Sequence, residues 1–170
     1  MRAPALCDRR RERRYDMKIL VFSDSHGDRE SMILAAEQER PGAIFHLGDC
    51  WRDAEELTYA FPDTPLYQVV GNCDWSMADY PTEKKVTLDG ICFLLCHGHT
   101  FGVKSGYSGA VSHAIREQAD VLLCGHTHIP YYDDFGSLQL LNPGSIGYGH
   151  TYGVITTQRG TAVCCVKTFE

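Results

Sequence analysis

Ile19-Leu20-Val21-Phe22-Ser23-Asp24-Ser25-His26-Gly27 decides how this chain is read: a strand-like apolar run stops at a carboxylate and an imidazole two positions apart. The design recurs. Residues 43–48 run into Asp49, 66–71 into Asn72, 91–96 into His97, and 121–125 into His126 and His128. In an open α/β sheet the strand C-termini share one edge, and ligands bind in the crevice beyond it. If these runs are neighbouring strands, seven metal-ligating side chains converge there.

The 170 residues are 44% hydrophobic and 22% charged, which predicts one domain able to bury roughly two thirds of its unfolded surface. No apolar run approaches the roughly 20 residues of a membrane-spanning helix, so the sequence predicts a soluble protein with no membrane partner. The eight cysteines contain no C-x-x-C, and five of them lie in or beside the apolar runs. They are expected to be reduced thiols packed as small hydrophobes in a cytoplasmic protein, not a disulfide framework or a structural zinc cluster.

Residues 1–16 differ in character from the rest of the chain. Six arginines face three acids with no apolar core, and Met17-Lys18-Ile19 reads as a natural start. The expectation is a basic, disordered N-terminal extension ahead of a domain over 17–170. The extension carries +3 of the formal charge of −6, leaving −9 on the domain, a poor match to a nucleic-acid backbone. No nucleic-acid partner is therefore expected. The sequence leaves homo-oligomerisation open.

The order of elements comes from periodicity and turn residues. A helix is predicted over 28–40, stopped by Pro41-Gly42, and a second over 51–60, giving with the first three strands a β-α-β-α-β rhythm and a parallel sheet. Asp89-Gly90 predicts a hairpin between 84–88 and 91–96. Ser108 is expected to cap a helix through Gln118. Hairpins at Gly136 and Arg159-Gly160 make the second half richer in antiparallel strands. The prediction is an α/β fold of two packed sheets with helices outside.

Asp24, His26, Asp49, Asn72, His97, His126 and His128 offer only nitrogen and oxygen donors, enough for two ions if one carboxylate is shared. Two divalent ions about 3.5–4 Å apart can bridge and deprotonate a water and hold both oxygens of a phosphoryl transfer. Imidazole with carboxylate favours manganese, nickel, iron, cobalt or zinc over magnesium or calcium.

Asp24-Ser25-His26, Gly48-Asp49, Gly71-Asn72-Cys73-Asp74, His97-Gly98-His99, Gly125-His126-Thr127-His128 and Asn142-Pro143-Gly144-Ser145 together resemble the ordered motif set of the calcineurin-like metallophosphoesterases, in particular their small bacterial and archaeal phosphodiesterase branch. The resemblance implies a four-layer αββα sandwich, two mixed β-sheets flanked by helices. It also implies Asp24, His26, Asp49 and His128 around one metal and Asp49, Asn72, His97 and His126 around a second. The implied activity is hydrolysis of a small phosphate ester, with a metal-bridging hydroxide attacking phosphorus in line. Alternatives within the superfamily are a phosphomonoesterase and a non-catalytic scaffold like its retromer subunit.

Two departures stand out. Cys73 occupies the place where larger members carry a histidine, and no basic residue comes soon after the Pro-Gly-Ser turn. Asn72 and His99 are the candidate catalytic residues, and His150 is a second candidate for facing the crevice. His46 is expected to be a core residue, His113 an exposed helix residue, and Cys50 and Cys73 to pack.

Overall fold

The computed structural model describes residues 16–169. The proposed extension lies outside them except for Asp16, whose backbone N–H donates to Thr157 O at 2.7 Å and whose carboxylate accepts from Arg159 N.

The order is β1 (Met17–Phe22), α1 (Arg29–Glu39), β2 (Ala43–His46), α2 (Trp51–Ala60), β3 (Leu66–Gln68), β4 (Glu83–Leu88), β5 (Ile91–Cys96), α3 (Ser108–Arg116), β6 (Val121–Leu123), β7 (Tyr131–Asp134), β8 (Gln139–Asn142), α4 (Ile146–Gly149), β9 (Thr151–Gln158) and β10 (Thr161–Thr168). One five-stranded sheet runs β10-β9-β1-β2-β3 and the other β4-β5-β6-β8-β7. β1, β2 and β3 are parallel, as are β5, β6 and β8, while the remaining pairings are antiparallel.

Strand alternation builds the layers. Ile19 and Val21 face inward with Phe45, Phe93, Leu95, Leu123, Leu141 and Ile155, forming the core between the sheets. Leu20 and Phe22 face outward onto Met32, Ala35 and Ala36 of α1 and Leu57 of α2. Leu94, Leu122 and Leu140 cover the other outer face with Ala110 and Ala114 of α3. The result is the expected four-layer αββα sandwich.

The structure corrects several local expectations. Ser108 is the first helical residue of α3 rather than its cap, a place taken by Tyr107 with no capping side chain. That helix ends at Arg116, two residues early, because Gln118 turns to φ 57°. α4 and the 3-10 turns His99–Phe101 and Val103–Ser105 were not foreseen, since glycine-rich segments carry no apolar period. Among the described residues no helix is long and apolar enough to cross a membrane.

Candidate metal centre

The turns after β1, β2, β5 and β6, with the loop after β3, bring the seven candidate donors to one end of the sandwich. Donor atoms of Asp24, His26, Asp49 and His128 all lie within 4.8 Å of one another. His97 joins them, its Nε2 3.5 Å from Asp49 Oδ2 and 3.9 Å from Asp24 Oδ1. Asn72 Oδ1 stands 3.0 Å from the same nitrogen, and the His126 ring lies 5.0 Å from the His97 ring.

The two carboxylates are each divided between two tasks. Asp24 Oδ2 accepts from Ser23 Oγ and His126 N, leaving Oδ1 to face His128 Nε2 at 2.9 Å and His26 Nε2 at 3.9 Å. Asp49 Oδ1 accepts from Cys73 N at 2.8 Å, leaving Oδ2 toward His97 and, at 4.0 Å, His26. One oxygen of each is thus fixed by backbone while the other points at imidazoles.

The donors fit divalent ions. His97 Nδ1 donates to the Leu47 carbonyl at 2.8 Å, so Nε2 is the atom that faces oxygens of Asn72, Asp49 and Asp24. Three oxygen acceptors around one imidazole nitrogen call for positive charge there, supplied by a proton on Nε2 in the metal-free protein or by a metal ion held on its lone pair. His26 Nε2 is buried and has no hydrogen-bond partner among the described residues, a costly state for a polar atom that a metal would relieve. The 2.9–4.0 Å separations match ligands around ions with bonds of about 2.0–2.2 Å.

The backbone is bent to make this possible. Asp24, His26, Asp49, His126 and His128 have φ of 53°, 45°, 60°, 67° and 60°, a left-handed region that costs a non-glycine residue roughly 1–2 kcal/mol. Such strain persists only where surrounding bonds over-determine it. Glycine is required where loops cross: a Cβ on Gly71 would overlap Asp49 Oδ1, and one on Gly125 would overlap Ser23 Oγ.

The supporting bonds come mostly from residues whose roles the sequence did not reveal. Asp74 Oδ2 accepts from Asp49 N at 3.0 Å and Gly71 N at 2.8 Å, and its Oδ1 accepts from Trp51 N at 2.8 Å. Asp53, buried on α2, accepts from Ser25 Oγ, Gly27 N and Arg29 Nε. Its place on the inward face with Trp51, Ala54 and Leu57 was the available signal. Asn142 donates to Gly125 O and Thr127 Oγ1, and Ser145 Oγ donates to Asp24 O.

Electrostatics are set by this packing. Burial pushes the Asp49 carboxyl up, but His97 and the Cys73 N–H outweigh it and hold it far below the usual range. Burial pulls His97 down, yet Asp49 and Asp24 carry it above an ordinary imidazole. His99 and His126 are lowered, by burial first and then by the neighbouring His97 charge.

The profile of the Calcineurin-like phosphoesterase superfamily domain matches residues 17–163. The chain belongs to this superfamily. Within this calcineurin-like group, the chain is 30% identical over 154 residues to the probable metallophosphoesterase YsnB of Bacillus subtilis, covering 86% of this chain and 88% of that one. It is 27% identical over 153 residues to the phosphodiesterase YfcE of Escherichia coli K12, covering 81% and 71%. The zinc complex of Vps29 from Entamoeba histolytica shares the fold, with TM-score 0.73 at 17% identity over 89% and 98% of the two chains. The small bacterial and archaeal branch and a metal-dependent phosphoesterase are thereby supported.

His99 stands at the edge of the cluster, 5.4 Å from the His97 ring and 6.1 Å from that of His126, with Nδ1 buried and unpartnered among the described residues. His150 does not join it: the ring is exposed, 3.7 Å from Asp28. His46 is buried, its Nε2 3.3 Å from Ser25 Oγ. His113 corrects the exposed reading, being half-buried and 2.7 Å from Glu83. Cys73 is exposed rather than packed, because its N–H must reach Asp49 from the loop tip. Cys50 is half-buried, with Sγ 3.9 Å from His26 Nδ1. Disulfides are absent among the described residues.

Proposed function

We propose that this protein is a dinuclear-metal-dependent phosphodiesterase. The observation that carries the reading is the convergence of nitrogen and oxygen donors from both sheets on one cluster, with His26 Nε2 and His97 Nε2 aimed at carboxylate oxygens. Asp24, His26, Asp49 and His128 hold one ion; Asp49, Asn72, His97 and His126 hold the other. Asp49 is shared. Manganese is the first candidate, with nickel, iron, cobalt and zinc compatible with the same donors. When bound, the ions lower the pKa of water and offset phosphate charge, the chemistry of in-line displacement at phosphorus.

The chain's own residues do the rest. Leu47 O fixes the His97 tautomer so that Nε2 faces the site. Asn72 Oδ1 is set against that nitrogen, and its amide group, which donates one hydrogen to Cys73 Sγ at 3.4 Å, has a second to offer a phosphate oxygen. His99 is placed to hold or hand over a proton at the leaving oxygen.

A diester is favoured over a monoester by the surroundings. Two recesses are lined by chain neighbours of the donors, one of about 360 Å³ by Cys50 and Cys73, the other of about 580 Å³ by Thr127. They lie toward opposite edges of the sandwich: the first opens by β3 and the second by β7. A diester has two organic arms to place, a monoester one. The scaffold alternative, for which the Vps29 fold speaks, requires no convergent donor set.

The test is hydrolysis by manganese- or nickel-loaded protein of aryl phosphodiesters and monoesters, with metal content measured beside rate. Diester turnover that disappears on chelation is expected. Asp49→Ala should lose both ions and nearly all activity, whereas His99→Ala should keep both and fall by about 10²–10⁴-fold. Asp49→Ala with two tightly bound ions and normal turnover would refute the shared-ligand assignment.

A further inference from the structure

The larger recess, about 580 Å³, opens between the 3-10 turns that come after His97 and the chain entering β7. Thr127, which separates His126 from His128, is part of its lining, so the recess lies beside the loop that carries two of the candidate donors. Tyr107 and Tyr131 form one wall, their rings stacked at 4.8 Å and 15°. That wall is fixed: Asn142 Nδ2 donates to the Tyr107 hydroxyl at 3.1 Å and also to Thr127 Oγ1 and Gly125 O. The asparagine that shapes the His126 loop therefore also sets the aromatic wall.

Beyond Tyr131 the surface is apolar and open. Tyr131 is 40% exposed and Ile129 67% exposed, although both lie at the mouth of the recess. Lys104, also in the lining, is exposed, and among the described residues its ammonium makes no hydrogen bond or salt bridge. Asp133, two residues along β7, accepts from the Tyr131 hydroxyl at 3.1 Å and is not in the lining. On a domain of formal charge −9, an unpaired cation beside a phosphate-handling centre is conspicuous. The sequence places no basic residue after the Pro-Gly-Ser turn, and Lys104 supplies one from another loop. The recess on the other flank is lined by Arg52 with two carboxylates, Asp53 and Asp74, of which Asp53 is paired with Arg29.

We propose that the Lys104–Tyr131 recess receives one arm of the phosphodiester, an arm carrying a planar ring and a further anionic group. The ring lies against Tyr131 and Ile129, and the anion pairs with Lys104. This inference rests on the diesterase reading. It restricts the substrate class to diesters with an anionic, ring-bearing arm, such as nucleotide-like or acidic aryl esters.

The test uses metal-loaded protein and two substrates that differ only in charge, phenyl p-nitrophenyl phosphate and its 4-carboxyphenyl analogue. Lys104→Ala should raise KM for the carboxylated diester by about 3- to 10-fold, leaving its kcat and both constants for the diester with uncharged arms unchanged. Lys104→Arg should restore it. Tyr131→Ala should raise KM for both. Dissociation constants of the corresponding non-hydrolysable phosphonates, measured by calorimetry, should show the same split without turnover. Equal effects of Lys104→Ala on the two substrates, or none, would overturn the inference while leaving the diesterase reading intact. Wild-type protein that hydrolyses neither diester would overturn both.

Discussion

His46 shows what a single buried imidazole does here. Burial, opposed by the carboxylates of Asp24, Asp74 and Asp53, brings its pKa down from 6.5 to about 4. It is therefore a neutral hydrogen-bond partner, accepting from Gly48 N on Nδ1 and sharing a contact with Ser25 Oγ. The unfolded chain binds a proton near pH 6.5 that the folded protein refuses until about 4. Its contribution to stability is thus complete above pH 6.5 and falls as pH drops toward 4, by about 3 kcal/mol in all. Urea unfolding of metal-free protein across that window should show His46→Gln losing stability less steeply on acidification than wild type. Parallel slopes would mean that His46 takes its proton in the folded state.

Among the elements, the connections carry the precision. Asp74 ties the loop after β3 to the turn between β2 and α2, through bonds from Gly71, Asp49 and Trp51. Both loops must hold their places if Asp49 is to face the other sheet. Asp74→Ala leaves three backbone donors without their acceptor, and such losses cost about 1–3 kcal/mol each where buried. Metal affinity should fall by about 10- to 100-fold, measured by competition with a chelating dye, and Asp74→Asn should fall between the two. Unchanged affinity would reduce Asp74 to a loop anchor. Sequence reading handled these elements unevenly, for physical reasons. β1, β2, β5 and α2 announce themselves because their apolar runs or periodicity meet abrupt breaks. The 3-10 turns after His97 and the short α4 do not, since φ values in glycine-rich chain are set by what packs around them. The seven candidate donors, which the fold gathers at one end, stood out because each comes at or just beyond the end of an apolar run. Asp74 was hidden because its work is done on backbone N–H groups, for which a sequence pattern has no mark, and Asp53 was marked only by its place on the inward face of α2.

At the scale of the molecule, the donors are divided between two sheets: Asp24, His26, Asp49 and Asn72 come after strands of one, and His97, His126 and His128 after strands of the other. Bound ions would therefore fasten the sheets together and stabilise the folded state alone. At free metal 100 times the dissociation constant the gain is about 2.7 kcal/mol for each ion. For a domain of this size, losing each ion to a chelator should then lower the melting temperature by roughly 5–10 °C, read by scanning calorimetry. An unchanged melting point would show that the folded protein does not bind the metal more tightly than the unfolded chain does. The same division has a consequence for how the chain is made. Asp24 and His26 are seated by β1, whose antiparallel neighbour is β9, with Ile19 opposite Ile155. At ordinary rates of synthesis β9 emerges after β1 by on the order of 10 s. All seven donors exist once residue 128 has been added, yet the strand that steadies the first two is among the last to emerge. A nascent chain thus holds every candidate ligand before β9 has joined the sheet that carries the first two.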